Sequence, residues 1–148
     1  MWMFKGKEFS SDDIKKAFGF VYIITDKTTG RSYIGQKHFW SSKTTQKNKV
    51  KKKVKCESDW KKYQSSNEYL KTLDENQLDK YILFLCVSKG QLNYIETLIQ
   101  MDLRVLENQD LWYNGIVNMR CHHTHIKLDK LIDKDESMIS ELYTKYKN

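Results

Sequence analysis

The chain has 148 residues, 39% hydrophobic and 13% aromatic, with a net charge of +7. That length suits one domain, residues 1–148, burying about 68–70% of its unfolded surface, and such a hydrophobic share excludes a disordered tail. No apolar run approaches the roughly 18 residues of a membrane span. Residues 1–7 lack the apolar stretch of a signal peptide, and Cys56, Cys86 and Cys121 are widely spaced and odd in number. Free thiols in a reducing, cytoplasmic compartment are therefore expected.

Residues 1–9 read as an apolar and basic lead-in. Ser11 is placed to cap a short helix over Asp12 to Ala17, with two acids in its first turn. Phe20 to Ile24 is a run of aromatic and β-branched residues that suits a strand. Asp26-Lys27-Thr28-Thr29-Gly30 supplies turn chemistry, and Ser32 to Ile34 is a short return strand closed by Gly35. A register with Tyr22 opposite Tyr33 and Ile24 opposite Arg31 would put both phenols on one face. An ordinary hairpin with two core tyrosines has the same pattern.

Residues 36–55 show little periodicity and much lysine, so an extended loop, an insertion at about 40–58, is expected there. Residues 43–63 hold Lys43, Lys47, Lys49, Lys51, Lys52, Lys53, Lys55, Lys61 and Lys62 against Glu57 and Asp59. This local excess equals the +7 of the whole chain. A confined basic stretch is the footprint of a phosphate-backbone binder, and the plainer reading is a solvated loop. Asp59 to Tyr63 and Asn67 to Leu73 read as two short helical pieces broken at Ser65-Ser66. The apolar run from Tyr81 to Val87 reads as a central buried strand, after which Ser88 caps a helix over about residues 89–103. Trp112-Tyr113-Asn114-Gly115 is a turn signal, residues 116–127 are irregular and histidine-rich, and residues 135–146 carry helical spacing.

The sharpest anomaly lies in the helix at 89–103. At about 100° per residue, Leu92, Ile95, Ile99 and Leu103 fall within about 80° of one another, with Glu96 at the edge of that arc. A carboxylate there needs an ion pair, a metal, or an aqueous cleft.

The pattern Phe20-Val21-Tyr22, ten residues, then Tyr33-Ile34-Gly35 resembles the motif of the GIY-YIG nuclease superfamily, with Phe-Val in place of Gly-Ile. The resemblance covers roughly residues 18–118. It implies an α+β (α/β) fold: a small three-stranded antiparallel sheet flanked by helices. It also implies a metal-dependent DNA endonuclease that uses one divalent ion, Mg²⁺ or Mn²⁺, held by Glu96. Tyr22 would then be the general base or its assistant, in an environment where lysines lower its pKa. Tyr33 would bind the scissile phosphate or orient the water. Asp59-Trp60-Lys61-Lys62-Tyr63 resembles the family block that opens with arginine and ends in His or Tyr. Tyr63 fits that block, whereas Asp59 stands where arginine is expected. Lys37, with Lys61 or Lys62, is the expected substitute, which supplies charge without a bidentate fork. Tyr113-Asn114 resembles the late asparagine of the family, with Asn118 the fallback.

The basic lysines would contact DNA, most simply double-stranded, and cutting both strands would require a dimer or two visits. The character is that of the phage-encoded, free-standing homing-type members. A different class, a non-catalytic DNA-binding protein that keeps this fold, is the alternative, supported by the departure at Asp59. Cys121-His122-His123-Thr124-His125 invites a zinc reading, but the paired ligand spacing of a structural site is missing.

Overall fold

The computed structural model describes residues 1–147. Its strands are β1 (Trp2–Phe4), β2 (Lys7–Glu8), β3 (Gly19–Asp26), β4 (Ser32–His38), β5 (Trp40–Lys47), β6 (Val50–Glu57), β7 (Leu78–Cys86) and β8 (Asp133–Lys134). Its helices are α1 (Glu68–Thr72), α2 (Lys89–Asp102) and α3 (Glu136–Tyr146). The fold is mixed α+β. The expected three antiparallel strands are present as β7-β3-β4, but the sheet is larger than expected, six-stranded in the order β2-β1-β7-β3-β4 with β8 also on β7. β1 runs parallel to β7, Trp2 opposite Lys80, and β8 pairs antiparallel further along at Phe84 and Leu85. At two or three residues each, these strands are too short to show a period in the sequence.

Two cores cover the two faces of the sheet. On one, Trp2, Phe20, Phe39 and Trp60 pack as an aromatic cluster with Tyr22 and Ile24. On the other, Leu92, Ile95, Ile99 and Leu103 of α2 pack on Val21, Ile23 and Ile34, with Leu142 of α3 beside them. The apolar arc of α2 is therefore the buried face foreseen for it. Ser88 caps this helix by accepting from the Gln91 amide, and Asp135 caps α3 by accepting from Met138. Both caps satisfy amides that a helix start leaves unpaired.

Several expectations fail locally. Residues 11–17 form one 3₁₀ turn, Ser11–Asp13, capped by Ser10 in a reciprocal bond with Asp13. Lys15 then takes a left-handed φ of 48°, which ends the helical run. Asp59–Tyr63 is a turn, whereas α1 follows the expected break and is capped by Asn67. The lysine-rich segment is no extended loop. Strands β5 and β6 pair along their full lengths, Trp40 opposite Glu57 and Lys47 opposite Val50, as a separate two-stranded sheet. Asn48 and Lys49 take φ of 54° and 65° at its tip, the left-handed pair that a two-residue hairpin turn requires. Lysine's weak strand preference masked Thr44, Thr45, Val50 and Val54.

Candidate active site

The hairpin β3–β4 positions the tyrosines, in a register displaced from the expected one. Tyr22 lies opposite Gly35, and Tyr33 opposite Ile24. The displacement is two residues, so both phenols still share a face. Their rings stack with centroids 6.3 Å apart. Gly35 makes this possible: a Cβ there would sit 2.5 Å from the Tyr22 hydroxyl and 2.8 Å from Tyr33 Cε1. The Tyr22 ring occupies the space where any other residue would project a side chain. Facing Tyr22, β7 carries a bulge, for Val21 pairs with Phe84 while Tyr22 pairs with Ile82. Such irregularities re-aim single side chains.

Tyr63 completes an aromatic triad, its ring edge-on to Tyr22 at 6.0 Å. Tyr22 is 1% exposed, and its hydroxyl is hydrogen-bonded to that of Tyr63. Tyr33 and Tyr63 are half-buried, and the Tyr33 hydroxyl bonds Ser66 Oγ at 2.8 Å. Burial pushes the pKa of all three phenols up, and the negative charge of Glu96 adds to that rise in each. The expectation that lysines depress the Tyr22 pKa is therefore corrected. Its ring is sealed in the aromatic core, and the nearby charge it feels is a carboxylate.

Glu96 comes from the opposite face of the sheet, on α2. It meets the sheet at β4, the outer strand, and its charge is felt by all three phenols. A strap at residues 111–114 covers only the first half of that edge. Ser32 donates to the Leu111 carbonyl, and Tyr113 donates to the carbonyl of Ser32. Asn114 accepts from Ile34 N at 3.0 Å and donates to Ile34 O at 2.8 Å. The Trp112–Gly115 turn is thus a buried strap, and Asn114, 1% exposed, commits both amide atoms to Ile34 rather than to the tyrosine cluster. A planar amide imitating a strand's donor and acceptor has no periodic signature in a sequence. Beyond Ile34 the edge is open, and there Gln36 donates to Asn93 at 2.7 Å and to Glu96 at 3.4 Å.

That long bond from a neutral amide is the Glu96 side chain's recorded support. Among the described residues, no ion pair reaches it. Burial raises its pKa to about 7. The ordinary salt bridge that could have explained an acid at this position is absent from the described residues.

Lys37 and Asp59 explain each other. The Lys37 ammonium lies 2.7 Å from the Asp59 carboxylate and 4.3 Å from the centre of the Tyr63 ring. A hydrogen bond from Lys37 holds the Asp59 carboxyl below its usual range. The acid in the arginine position thus fixes a cation arriving from β4. Lys61 and Lys62 are exposed beside it. Lys80, overlooked in the sequence, is 2% exposed beneath this turn. Its ammonium donates to the carbonyls of Lys61 at 3.3 Å and Tyr63 at 3.1 Å, with Glu75 at 3.6 Å. Standing beside Asp79 just ahead of the apolar run, Lys80 carried no sequence signal of burial.

The lysines expected to contact DNA, Lys43, Lys47, Lys49, Lys51, Lys52, Lys53 and Lys55, all lie on the exposed β5–β6 ribbon. Cys121 and His125 sit by the start of α2, and no group of three or more metal-ligating side chains occurs among the described residues.

Residues 2–117 match the family model described as "Putative endonuclease segE, GIY-YIG domain". The chain belongs to the GIY-YIG nuclease superfamily. No curated protein and no solved structure matches it. The GIY-YIG hairpin is thus β3–β4, and its variable first positions, Phe20 and Val21, are core residues of opposite faces. Membership frames the site as that of an endonuclease domain acting on DNA. No helix is long and apolar enough to cross a membrane among the described residues.

Proposed function

We propose that the protein is a divalent-metal-dependent DNA endonuclease with one metal ion per site, held by Glu96, that hydrolyses a phosphodiester by in-line attack of water. The observation that carries this reading is the Glu96 carboxylate, half-buried, with no cation paired to it among the described residues and with its charge felt by three tyrosines. A half-buried acid supported by one long bond from a neutral amide calls for an explanation, and a hard oxygen ligand suits Mg²⁺ or Mn²⁺ with several retained waters. When bound, the ion supplies charge stabilisation at the phosphate and at the leaving oxygen.

The chain's own residues do the remaining work. With raised pKa values the phenols are neutral near pH 7, so they act by orientation. The hydrogen bond between the Tyr22 and Tyr63 hydroxyls fixes the orientation of Tyr63. Tyr63 and Tyr33 hold the attacking water and a phosphate oxygen, and the water's proton leaves to solvent at the open side of Tyr63. Lys37 neutralises phosphate charge in the place of the family arginine, and Asn114 acts indirectly by fixing Ile34 between Tyr33 and Gly35. The substrate is double-stranded DNA, and one site cuts one strand, so a double-strand break takes a dimer or a second visit.

A second reading, a DNA-binding protein without cleavage, is favoured by the neutralisation of Lys37 by Asp59. Incubation with supercoiled plasmid separates the two. Nicking that needs Mg²⁺ or Mn²⁺ and stops with chelator supports the nuclease; binding without cutting under either metal supports the second reading.

A further inference from the structure

The β5–β6 ribbon has a shape and chemistry that the cleavage reaction does not require. It continues directly from β4 through the buried Phe39, whose amide donates to Phe18 and whose carbonyl accepts from Ser58. Its root is therefore rigidly tied to the strand carrying Tyr33 and Lys37. From Ser41 to Lys55 every residue is exposed. An isolated two-stranded hairpin is marginal in water, and among the described residues no protein layer lies against either face of this one from Ser41 to Lys55. At about 3.3 Å per residue, its eight-residue strands reach about 26 Å from the core.

Its two faces differ. Lys51, Lys53 and Lys55 lie opposite Gln46, Thr44 and Ser42, forming one wholly polar face. The other face carries Val50 and Val54, 63% and 44% exposed, set among Lys43, Lys47, Thr45 and Lys52. A cleft at the ribbon's root, lined by Gln36, Lys37, His38, Lys89 and Asn93, leads toward the carboxylate that Gln36 touches. Burial and then the charges of Lys89 and Lys37 lower the His38 pKa, so this cleft is electropositive.

We propose that the ribbon docks in the major groove of double-stranded B-form DNA, with its valine-bearing face toward the base edges and its other lysines toward the phosphates. The inference rests on the DNA endonuclease reading and adds to it a recognition element separate from the cutting site. The groove is about 12 Å wide and admits a two-stranded ribbon. Its floor offers thymine methyls to Val50 and Val54 and hydrogen-bonding edges to Thr45 and Lys52. The groove walls supply the charge that seven ribbon lysines lack within the fold. Duplex RNA is a poor occupant, because its major groove is too deep and narrow for side chains to read. Given a reach of about 26 Å and a rise of about 3.4 Å per base pair, the contacted bases lie within about eight base pairs of the cut.

The test uses the full chain without divalent cation, so that binding is measured apart from cleavage. Duplex DNA, single-stranded DNA and duplex RNA of equal length are titrated over a range of salt, and dimethyl sulfate reports on guanine N7 in the major groove. Duplex DNA should bind most tightly, with N7 protection over less than one helical turn. The triple variant K51A/K53A/K55A should flatten the plot of log affinity against log salt by up to about three. The pair V50S/V54S should weaken duplex binding several-fold at unchanged slope and erase the N7 protection. Thermal melting of each variant within a few degrees of wild type shows that the core has folded. Unprotected N7 positions, duplex RNA bound as tightly as duplex DNA, or variants that bind like wild type would overturn the groove assignment. A protein that protects N7 but never cuts when metal is added leaves the groove assignment standing and removes only the nuclease.

Discussion

Replacing Glu96 by glutamine should make the protein more stable while abolishing its activity. The carboxyl's pKa is raised by burial from its ordinary 4.5 to about 7, so the folded chain holds that proton more tightly than the unfolded chain. The cost of the buried charge is therefore absent below about pH 4.5, grows between pH 4.5 and 7, and is complete above pH 7. Such a rise corresponds to about 3 kcal/mol as an upper bound. Glu96 is only partly buried, and solvent screening reduces the expected gain to about 1–2 kcal/mol. For a chain of this length that is about 3–6 °C in melting temperature. Thermal unfolding of wild type and Glu96→Gln, followed by circular dichroism in chelator at pH 4 and pH 8, reads the effect. The variant should melt higher at pH 8 and alike at pH 4, and Mg²⁺ should raise only the wild type. A variant that melts lower at pH 8, or a difference independent of pH, would refute the reasoning, because it would mean that Glu96 makes stabilising contacts in the apo fold.

Tyr22→Phe removes the hydroxyl hydrogen-bonded to Tyr63. Cleavage turnover should fall about 10–100-fold, on the scale of a lost positioned donor, with duplex affinity within about twofold; unchanged single-turnover rates would count against the relay. Gly35→Ala forces a methyl into the Tyr22 and Tyr33 rings, at a cost of about 1–3 kcal/mol measurable by denaturant unfolding, and cleavage should fall with it; a neutral Gly35→Ala would contradict the packing. Lys80→Met leaves the Lys61 and Tyr63 carbonyls unpaired, a loss of about 1–3 kcal/mol. It should lower turnover more than DNA affinity, and the reverse pattern would place Lys80 in substrate binding instead. At limiting Mg²⁺, cleavage by wild type should rise with pH through about 7 as Glu96 ionises, and the midpoint should move down as the metal competes with the proton. A profile insensitive to metal concentration would assign that midpoint to another group.

How far the sequence disclosed this architecture depends on how local each signal is. The β3–β4 hairpin, the Ser88 cap, the buried arc of α2 and the C-terminal helix were legible because composition and periodicity carry them within a few residues. Glu96 stood out for the same reason, as a charge on an apolar stripe. The register was missed because it is set by a nonlocal fit, the Tyr22 ring lying over Gly35 where a side chain would otherwise stand. The ribbon was taken for a loop since lysines, which soften strand propensity, outnumber the valines and threonines that sustain its pairing. Asp59 looked like a loss of charge until Lys37, 22 positions earlier on β4, proved to be its partner. Asn114 was placed among the reacting groups by motif order, whereas its amide atoms close the strand edge at Ile34. Lys80 acts by filling two backbone acceptors from below, a role that only the fold reveals.

The most direct measurement of the central claim follows Mn²⁺ binding and plasmid cleavage together in wild type and Glu96→Ala. Wild type should bind one Mn²⁺ per chain and convert supercoiled plasmid to the nicked form, while Glu96→Ala loses both yet retains duplex affinity. Cleavage that survives in Glu96→Ala, or Mn²⁺ that still binds it with equal affinity, would contradict the assignment of this carboxylate as the seat of the metal.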